Sequence, residues 1–328
     1  MDRLKRFFKE NYKSLIILVI FAFICYTPLP YYIDSPGGLT DLTDRIEIKG
    51  KKINGSYNLT YVSEYRATLP ILLYSYLKGD CEILKKEDVM GSDETDQDYL
   101  KRDYLSYKSS LNNAVIAAYK LADKEVNISN NKLYVGYIFE DASTDLKIGD
   151  EIVSINDIDV STRSDVNNLL NKYNDSDKIS IKVINNKKEY ERYAVLTNQD
   201  GNNYIGFMPI EIYTYKVNPN VVIKEEKSEY GGSGGLMLSL MIYDMLNSKD
   251  LAAGKKIAGT GTIDINGNVG SIGGIEFKVK AASKAKADIF FVPKDNYKDA
   301  IKYKKDNKLN LKIVSVDSLK DATSYLLK

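Results

Sequence analysis

Histidine is absent from all 328 residues. That absence removes more chemistry than any other feature. A Ser-His-Asp or Cys-His site cannot be built, and no imidazole can hold a catalytic zinc. Any general base must be Lys, Asp, Glu, Tyr or a water. Cysteine is scarce too. Cys25 lies in an apolar run and Cys81 far from it, so neither a disulfide framework nor a Cys-rich metal site is open. No metal or other cofactor is expected. Neither charge is in excess: 46 basic residues face 45 acidic ones, so no net field draws the chain to nucleic acid. Nor does Gly-x-x-x-x-Gly-Lys-Ser/Thr occur, so no ATP-binding phosphate loop is expected.

What is present begins with a basic stretch, Arg3, Lys5, Arg6, Lys9 and Lys13, followed by the apolar run Leu15 to Tyr26. Extended through Tyr32, the run approaches the roughly 20 residues that cross a hydrocarbon core. Tyr31 and Tyr32 suit the far interface, and Asp34, Asp41 and Asp44 follow. The positive-inside rule then predicts residues 1–13 as a cytoplasmic tail, 14–33 as a single transmembrane anchor held by membrane lipid, and the rest outside the cell. The context Tyr-Thr-Pro-Leu-Pro is a poor cleavage site, which favours an anchor over a signal peptide.

Beyond it, alternation at Ile46, Ile48, Tyr57, Leu59, Tyr61 and Ser63 around Asn54-Gly55 predicts strands joined by a turn. Leu69 to Leu77 is expected as a short helix. Residues 91–106 read as charged and exposed, and Ser110 to Ala122 has helical spacing. Strands are then predicted at Leu133–Phe139, Glu151–Ile155, Lys178–Val183 and Arg192–Leu196, with a helix at Arg163–Tyr173. Within them, Leu146-Lys147-Ile148-Gly149-Asp150-Glu151-Ile152-Val153-Ser154-Ile155-Asn156 resembles a bacterial PDZ domain. Such domains take a peptide as an added strand.

From Val221 on, strand and helix patterns alternate. Gly231-Gly232-Ser233-Gly234-Gly235 opens an apolar helix from Leu236 to Leu246. Glycines let the backbone turn sharply there, and helix N-terminal N–H groups face whatever lies before Ser233. The pentad also fits the Gly-x-Ser-x-Gly elbow, but that elbow needs a histidine. Lys is the best remaining base. A neutral Lys requires its pKa to fall from ~10.4 to ~7–8, which costs about 4 kcal/mol and is within reach of burial. Lys278 suits this. It follows Gly273-Gly274-Ile275-Glu276-Phe277 and precedes Val279 and Ala281-Ala282 on the first turn of an Ala-rich helix. A surface lysine beside Lys280 is the rival reading. Asn266-Gly267 marks a hairpin, and Ser318 suits the N-cap of a last helix.

Gly231–Gly235, Gly259-Thr260-Gly261 and Gly273-Gly274-Ile275-Glu276-Phe277-Lys278 together resemble the motifs of the Lon proteolytic domain. Their order and spacing agree with it. The resemblance implies Ser233 as nucleophile, Lys278 as general base and Thr260 as a hydrogen-bond partner near the lysine. Gly232 and Gly234 replace the family's proline and alanine, which loosens the loop. With the anchor and the PDZ-like unit, nearly the whole chain resembles single-pass PDZ–Lon proteases of Gram-positive bacteria. The implied fold is α+β with α/β: one transmembrane helix, a PDZ-like β-rich domain at 129–200 and a Lon-type proteolytic α/β domain at 221–328. Residues 34–128 are expected as an N-terminal extracytoplasmic segment, and the resemblance implies that they include the first part of the protease fold, with the PDZ-like unit inserted into it. The implied function is an ATP-independent, membrane-anchored serine endopeptidase acting on extracytoplasmic peptides or flexible protein segments. The PDZ-like unit would assist binding, and a homo-oligomer is possible, since Lon-like domains often form rings. A catalytically weak scaffold that recruits a protein partner is the alternative.

Overall fold

The computed structural model describes residues 2–91, 93–199, 201–225 and 230–328. The chain divides into two compact units. One comprises residues up to Gly37 with Val62–Met90, and the other Gly38–Tyr61 with Gly91–Lys328.

The smaller unit corrects the transmembrane expectation. Its first helix, Asp2–Tyr26, stops at Tyr26 because Pro28 and Pro30 follow, and proline ends a helix by ring clash and the loss of a donor. Tyr31 already begins a strand, Tyr31–Asp41, with Tyr32 and Ile33 buried. Residues 14–33 therefore do not form one span. The uncharged helical part from Ser14 is about 13 residues, or roughly 20 Å at 1.5 Å each, against ~30 Å of hydrocarbon. Among the described residues no helix is long and apolar enough to cross a membrane. Without a span, a cytoplasmic N-terminus and an extracellular catalytic unit lose their basis. Elsewhere in this unit, Tyr31 to Asp34 pair antiparallel with Glu82 to Lys85. The Arg66 guanidinium lies 5.1 Å over the Tyr32 ring. The expected short helix is Leu69–Lys78, with Gly79 as its left-handed cap. Cys25 and Cys81 are both free thiols.

The larger unit holds the protease-like motifs on a parallel sheet. Ser56 to Leu59 pair with Lys256 to Gly259, which pair with Ile289 to Phe291, and Phe290 to Pro293 pair with Ile313 to Val316. Both faces are covered, so the strand Ile289–Pro293 is buried at every residue, as parallel strands usually are. The two-residue period divides it cleanly. Ile289 and Phe291 join a core with Tyr57, Ile257, Val115, Met237 and Met241. Phe290 and Val292 join a second core with Ala258, Val279, Ala282 and Ala300. Helices Asp96–Leu121, Gly235–Leu246 and Leu319–Leu326 thus supply the first face, and Ile275–Lys284 and Lys294–Asp306 the second.

The helix Asp96–Leu121 differs most from the sequence reading. Thr95 caps it through a reciprocal capping box with Asp98, and Leu105 and Tyr107 are buried. Residues 91–106 therefore contain its first three turns. Asp96, Asp98, Lys101, Arg102 and Asp103 crowd its first turns, and their charge obscures the apolar period of Leu105, Leu111, Val115 and Ala118. At the other end of this core, the Tyr57 hydroxyl donates to Asp244 Oδ2 at 2.7 Å, and the Leu251 and Ala252 N–H groups donate to the same carboxylate at 3.0 and 3.1 Å. Burial holds the Asp244 carboxyl above the usual carboxylate range.

Between these segments lies the PDZ-like β unit. Its strands run in the spatial order Phe207–Asn218, Glu125–Ile138, Glu151–Ile155, Lys178–Asn185, Lys188–Val195. One helix, Arg163–Leu170, packs on them through Val166, Leu169 and Leu170. The strand Phe207–Asn218 lies at the sheet edge.

The main core draws on residues 42–57 and 114–119 as well as 236–322. A fragment of residues 221–328 leaves Met237, Met241 and Ile257 without Tyr57, Val115 and Tyr119. That fragment is expected to show no cooperative urea transition, whereas the full chain shows one. A sharp transition from the fragment, monitored by far-ultraviolet circular dichroism, would refute this.

Candidate active site

Three loops meet above the C-terminal end of the strand Lys256–Gly259. The first is the Gly231–Gly235 turn. Gly231 adopts φ 78°, a left-handed value that glycine tolerates without a Cβ clash. Its N–H donates to the Asp103 carbonyl at 3.0 Å. Ser233 is half-buried, and the helix Gly235–Leu246 begins two residues later.

The second loop follows the strand. Thr260 is fully buried, and its N–H donates to the Phe291 carbonyl at 3.1 Å. Gly261 takes φ 153°, and its N–H donates to the Ser233 carbonyl at 2.8 Å. Thr260 Oγ1 donates to the same carbonyl at 3.2 Å. The third loop enters the helix Ile275–Lys284 through Gly274, φ 63°. Asn296 clamps that entrance. Its Oδ1 accepts from the Ile272 N–H at 3.0 Å, and its Nδ2 donates to the Ile272 carbonyl at 2.9 Å.

Lys278 stands on the first turn of that helix and is 4% exposed. Its amine donates to Thr260 Oγ1 at 3.3 Å. Thr260 thus links Lys278 to the Ser233 main chain. Its one proton goes to the Ser233 carbonyl, so toward Lys278 the hydroxyl is an acceptor. Ser233, Thr260 and Lys278, 45 positions apart in the chain from first to last, belong to one network.

Gly232 and Gly234 flank Ser233. A Cβ at Gly232 would meet nothing nearer than 3.5 Å, and one at Gly234 would lie 3.3 Å from Leu59 Cδ2. Neither position demands glycine for space. Gly235 does, because a Cβ there would lie 2.5 Å from Ser110 Oγ and 2.7 Å from Ile263 Cγ2.

The structure adds residues that the sequence reading passed over. Ser110 Oγ donates to the Gly232 carbonyl at 2.7 Å, and Asn113 Nδ2 donates to the Ile263 carbonyl at 3.0 Å. Both lie on the helix Asp96–Leu121. Their signal was polar residues at i and i+3 beside Leu111, Ala114 and Val115 on the buried side of a helix. Asn296 carried no comparable mark. It is one polar residue among many in Lys294–Asp306.

Residues 226–328 match the Lon protease (S16) C-terminal proteolytic domain. Among curated relatives, a Lon protease of Campylobacter jejuni is 34% identical over 98 residues, which is 30% of this chain and 12% of that protein. A Lon protease of Metamycoplasma arthritidis is likewise 34% identical over 98 residues, with the same shares. Lon protease 2 of Borreliella burgdorferi is 33% identical over 96 residues, 29% of this chain and 12% of that protein. The chain therefore spans about an eighth of the length of the curated relatives it matches. Among solved structures, the PDZ domain of an SdrC-like protein from Listeria monocytogenes is 18% identical and covers 26% of this chain and 93% of that one, at TM-score 0.23. The matches support a Lon-type serine peptidase domain. A membrane anchor and a Gram-positive source find no support in them.

The two glycines on either side of the helix start should respond differently to alanine. Gly235→Ala overpacks a closed contact and is expected to destabilise by about 1–3 kcal/mol. Gly232→Ala has room and is expected to be neutral or to stabilise by about 0.4–1 kcal/mol through the unfolded chain. Urea midpoints at constant m-value check both. The reverse order would contradict the packing described.

Proposed function

We propose that this chain is a serine endopeptidase in which Ser233 is the nucleophile and Lys278 the general base, working without a nucleotide. The observation that carries this reading is the buried Lys278 amine, joined through the Thr260 hydroxyl to the main chain of Ser233. A neutral amine that gives one N–H to Thr260 keeps its lone pair for the Ser233 hydroxyl. Burial and the positive end of the helix Ile275–Lys284 both disfavour a charged ammonium.

The chemistry follows from those groups. Lys278 takes the Ser233 hydroxyl proton as Oγ bonds to the peptide carbonyl carbon. The carbonyl electrons move to oxygen, and main-chain N–H groups at the Ser233 turn hold the oxyanion. Lysinium then gives the proton to the departing amine as the C–N bond breaks. A water, deprotonated by Lys278, clears the resulting ester and restores the Ser233 hydroxyl. Thr260 keeps Lys278 and Ser233 in register throughout.

The half-buried turn suits extended segments, not folded surfaces, so the substrates are peptides or flexible protein segments. The PDZ-like unit would assist. The outer carbonyls of its end strand Phe207–Asn218 are already engaged, Ser109 Oγ donating to Glu211 at 2.6 Å and Asn112 Nδ2 to Tyr213 at 2.7 Å, so that edge does not take an added strand. Near one end, Arg163 Nη2 donates to the Pro209 carbonyl at 3.2 Å.

Ser233→Ala and Lys278→Ala should each reduce cleavage of an unfolded, fluorescently labelled protein to background, while far-ultraviolet circular dichroism shows both variants folded. Cleavage retained by either variant sinks the dyad. Thr260→Val should leave a folded protein with kcat lowered by about 10- to 100-fold, up to the lower end of the loss of a whole oxyanion donor.

The active form of the base is the neutral one. Activity should therefore climb as pH rises through the lysine ionisation and fall away on the acid side. A rate that stays flat between about pH 6 and 9 would count against a lysine base.

A further inference from the structure

The Gly231–Gly235 turn is held by its carbonyls. The Gly232 oxygen accepts from Ser110 Oγ at 2.7 Å and from the Gly235 N–H at 3.3 Å. The Ser233 oxygen accepts from the Gly261 N–H at 2.8 Å and from Thr260 Oγ1 at 3.2 Å. Among the described residues, the N–H groups of Ser233 and Gly234 donate to no backbone partner. In a trans peptide the C=O and the next N–H point to opposite sides. A carbonyl tied into the protein therefore turns the following N–H outward. The tie on Gly232 aims the Ser233 N–H, and the ties on Ser233 aim the Gly234 N–H.

We propose that Ser110 is a positioning residue whose hydroxyl latches the Gly232–Ser233 peptide, so that the Ser233 N–H faces the substrate carbonyl. This rests on Ser233 being the nucleophile. The latch matters because Gly231 and Gly232 offer no side chain to oppose rotation of that peptide. Half a turn would present a carbonyl oxygen where the oxyanion needs a donor. The other tie on Gly232 is long and comes from the same turn, so it moves with it. Ser110 belongs to a different element, the capped helix Asp96–Leu121, and is 5% exposed, so water competes little. A mid-helix serine usually bonds back to its own preceding turn. This one instead donates across 122 positions of sequence. The same hydroxyl fills the space that a Cβ at Gly235 would need.

The test uses the full chain and a quenched fluorescent peptide chosen by screening the wild type. Ser110→Ala should lower kcat by about 10- to 100-fold, less than or comparable to the loss of a whole oxyanion donor. KM should stay within about threefold, because the donor acts on the transition state. Adding Gly232→Ala, which narrows the backbone freedom the latch controls, should recover about threefold or more of that kcat. A wild-type kcat in Ser110→Ala, or a change confined to KM, overturns the latch while an inactive Ser233→Ala leaves the nucleophile standing. Activity in Ser233→Ala overturns both. Should Ser110→Ala not fold, Ser110→Cys, a weaker donor of similar shape, is expected to show the same kcat loss in smaller measure. A wild-type kcat there is equally fatal.

Discussion

Two hydrogen bonds converge on the main-chain oxygen of Ser233, one from the Gly261 N–H and one from the Thr260 hydroxyl. Each contributes on the order of 1 kcal/mol to stability, but their geometric effect is larger. They tie the start of the helix Gly235–Leu246 to the end of the strand Lys256–Gly259. The approach is close enough that a Cβ on Gly259 would lie 2.6 Å from Met237 Sδ, and one on Gly261 2.9 Å from Val269 Cγ1. Glycine at 259 and 261 is therefore a packing requirement. Once that junction is set, Thr260 points one way to Ser233 and the other way to Lys278.

The position of Lys278 follows from a second, independent constraint. The clamp from Asn296 fixes the loop before Gly274, and Val279 and Ala282 anchor the helix in the second core. The amine has no freedom to swing to solvent as a surface lysine would. A fully buried ammonium costs several kcal/mol unless well paired, and the amine here lies 3.3 Å from the Thr260 hydroxyl. The burial that makes the residue awkward for stability is what its proposed role as a base draws on. The Asp244 network near the end of the helix Gly235–Leu246 is a contrast. There a buried carboxylate accepts three hydrogen bonds and serves to seat the helix, with no reacting partner near.

How much was legible varied with the range of the interaction. Strands at 151–155 and 289–293, the helix at 275–284, the hairpin at Asn266-Gly267 and the cap at Ser318 were written in local periodicity and turn chemistry. The three glycine-flanked strings around Ser233, Thr260 and Lys278 were visible because reactive loops need residues with unusual backbone freedom at short fixed offsets. Two readings failed for one reason: a local average was mistaken for structure. Apolar content over residues 14–33 suggested a continuous span, but two prolines convert its second half into loop and strand. Charge over residues 91–106 suggested an exposed segment, although a capping box starts a long helix there and buries its inner face.

The sequence by itself determined which chemistry was open. Lacking histidine, the chain offers only lysines, carboxylates, tyrosines or water as a base, and the glycine-rich strings singled out the serine and the lysine proposed for that chemistry. Only the tertiary structure decided that these groups share one network, and that Ser110, Asn113 and Asn296 hold it. Those side chains act on carbonyls and amides more than 20 positions away. A hydrogen bond across such distances depends on where two elements cross in space. That crossing is set by the packing of both cores together, and no string of neighbouring residues encodes it.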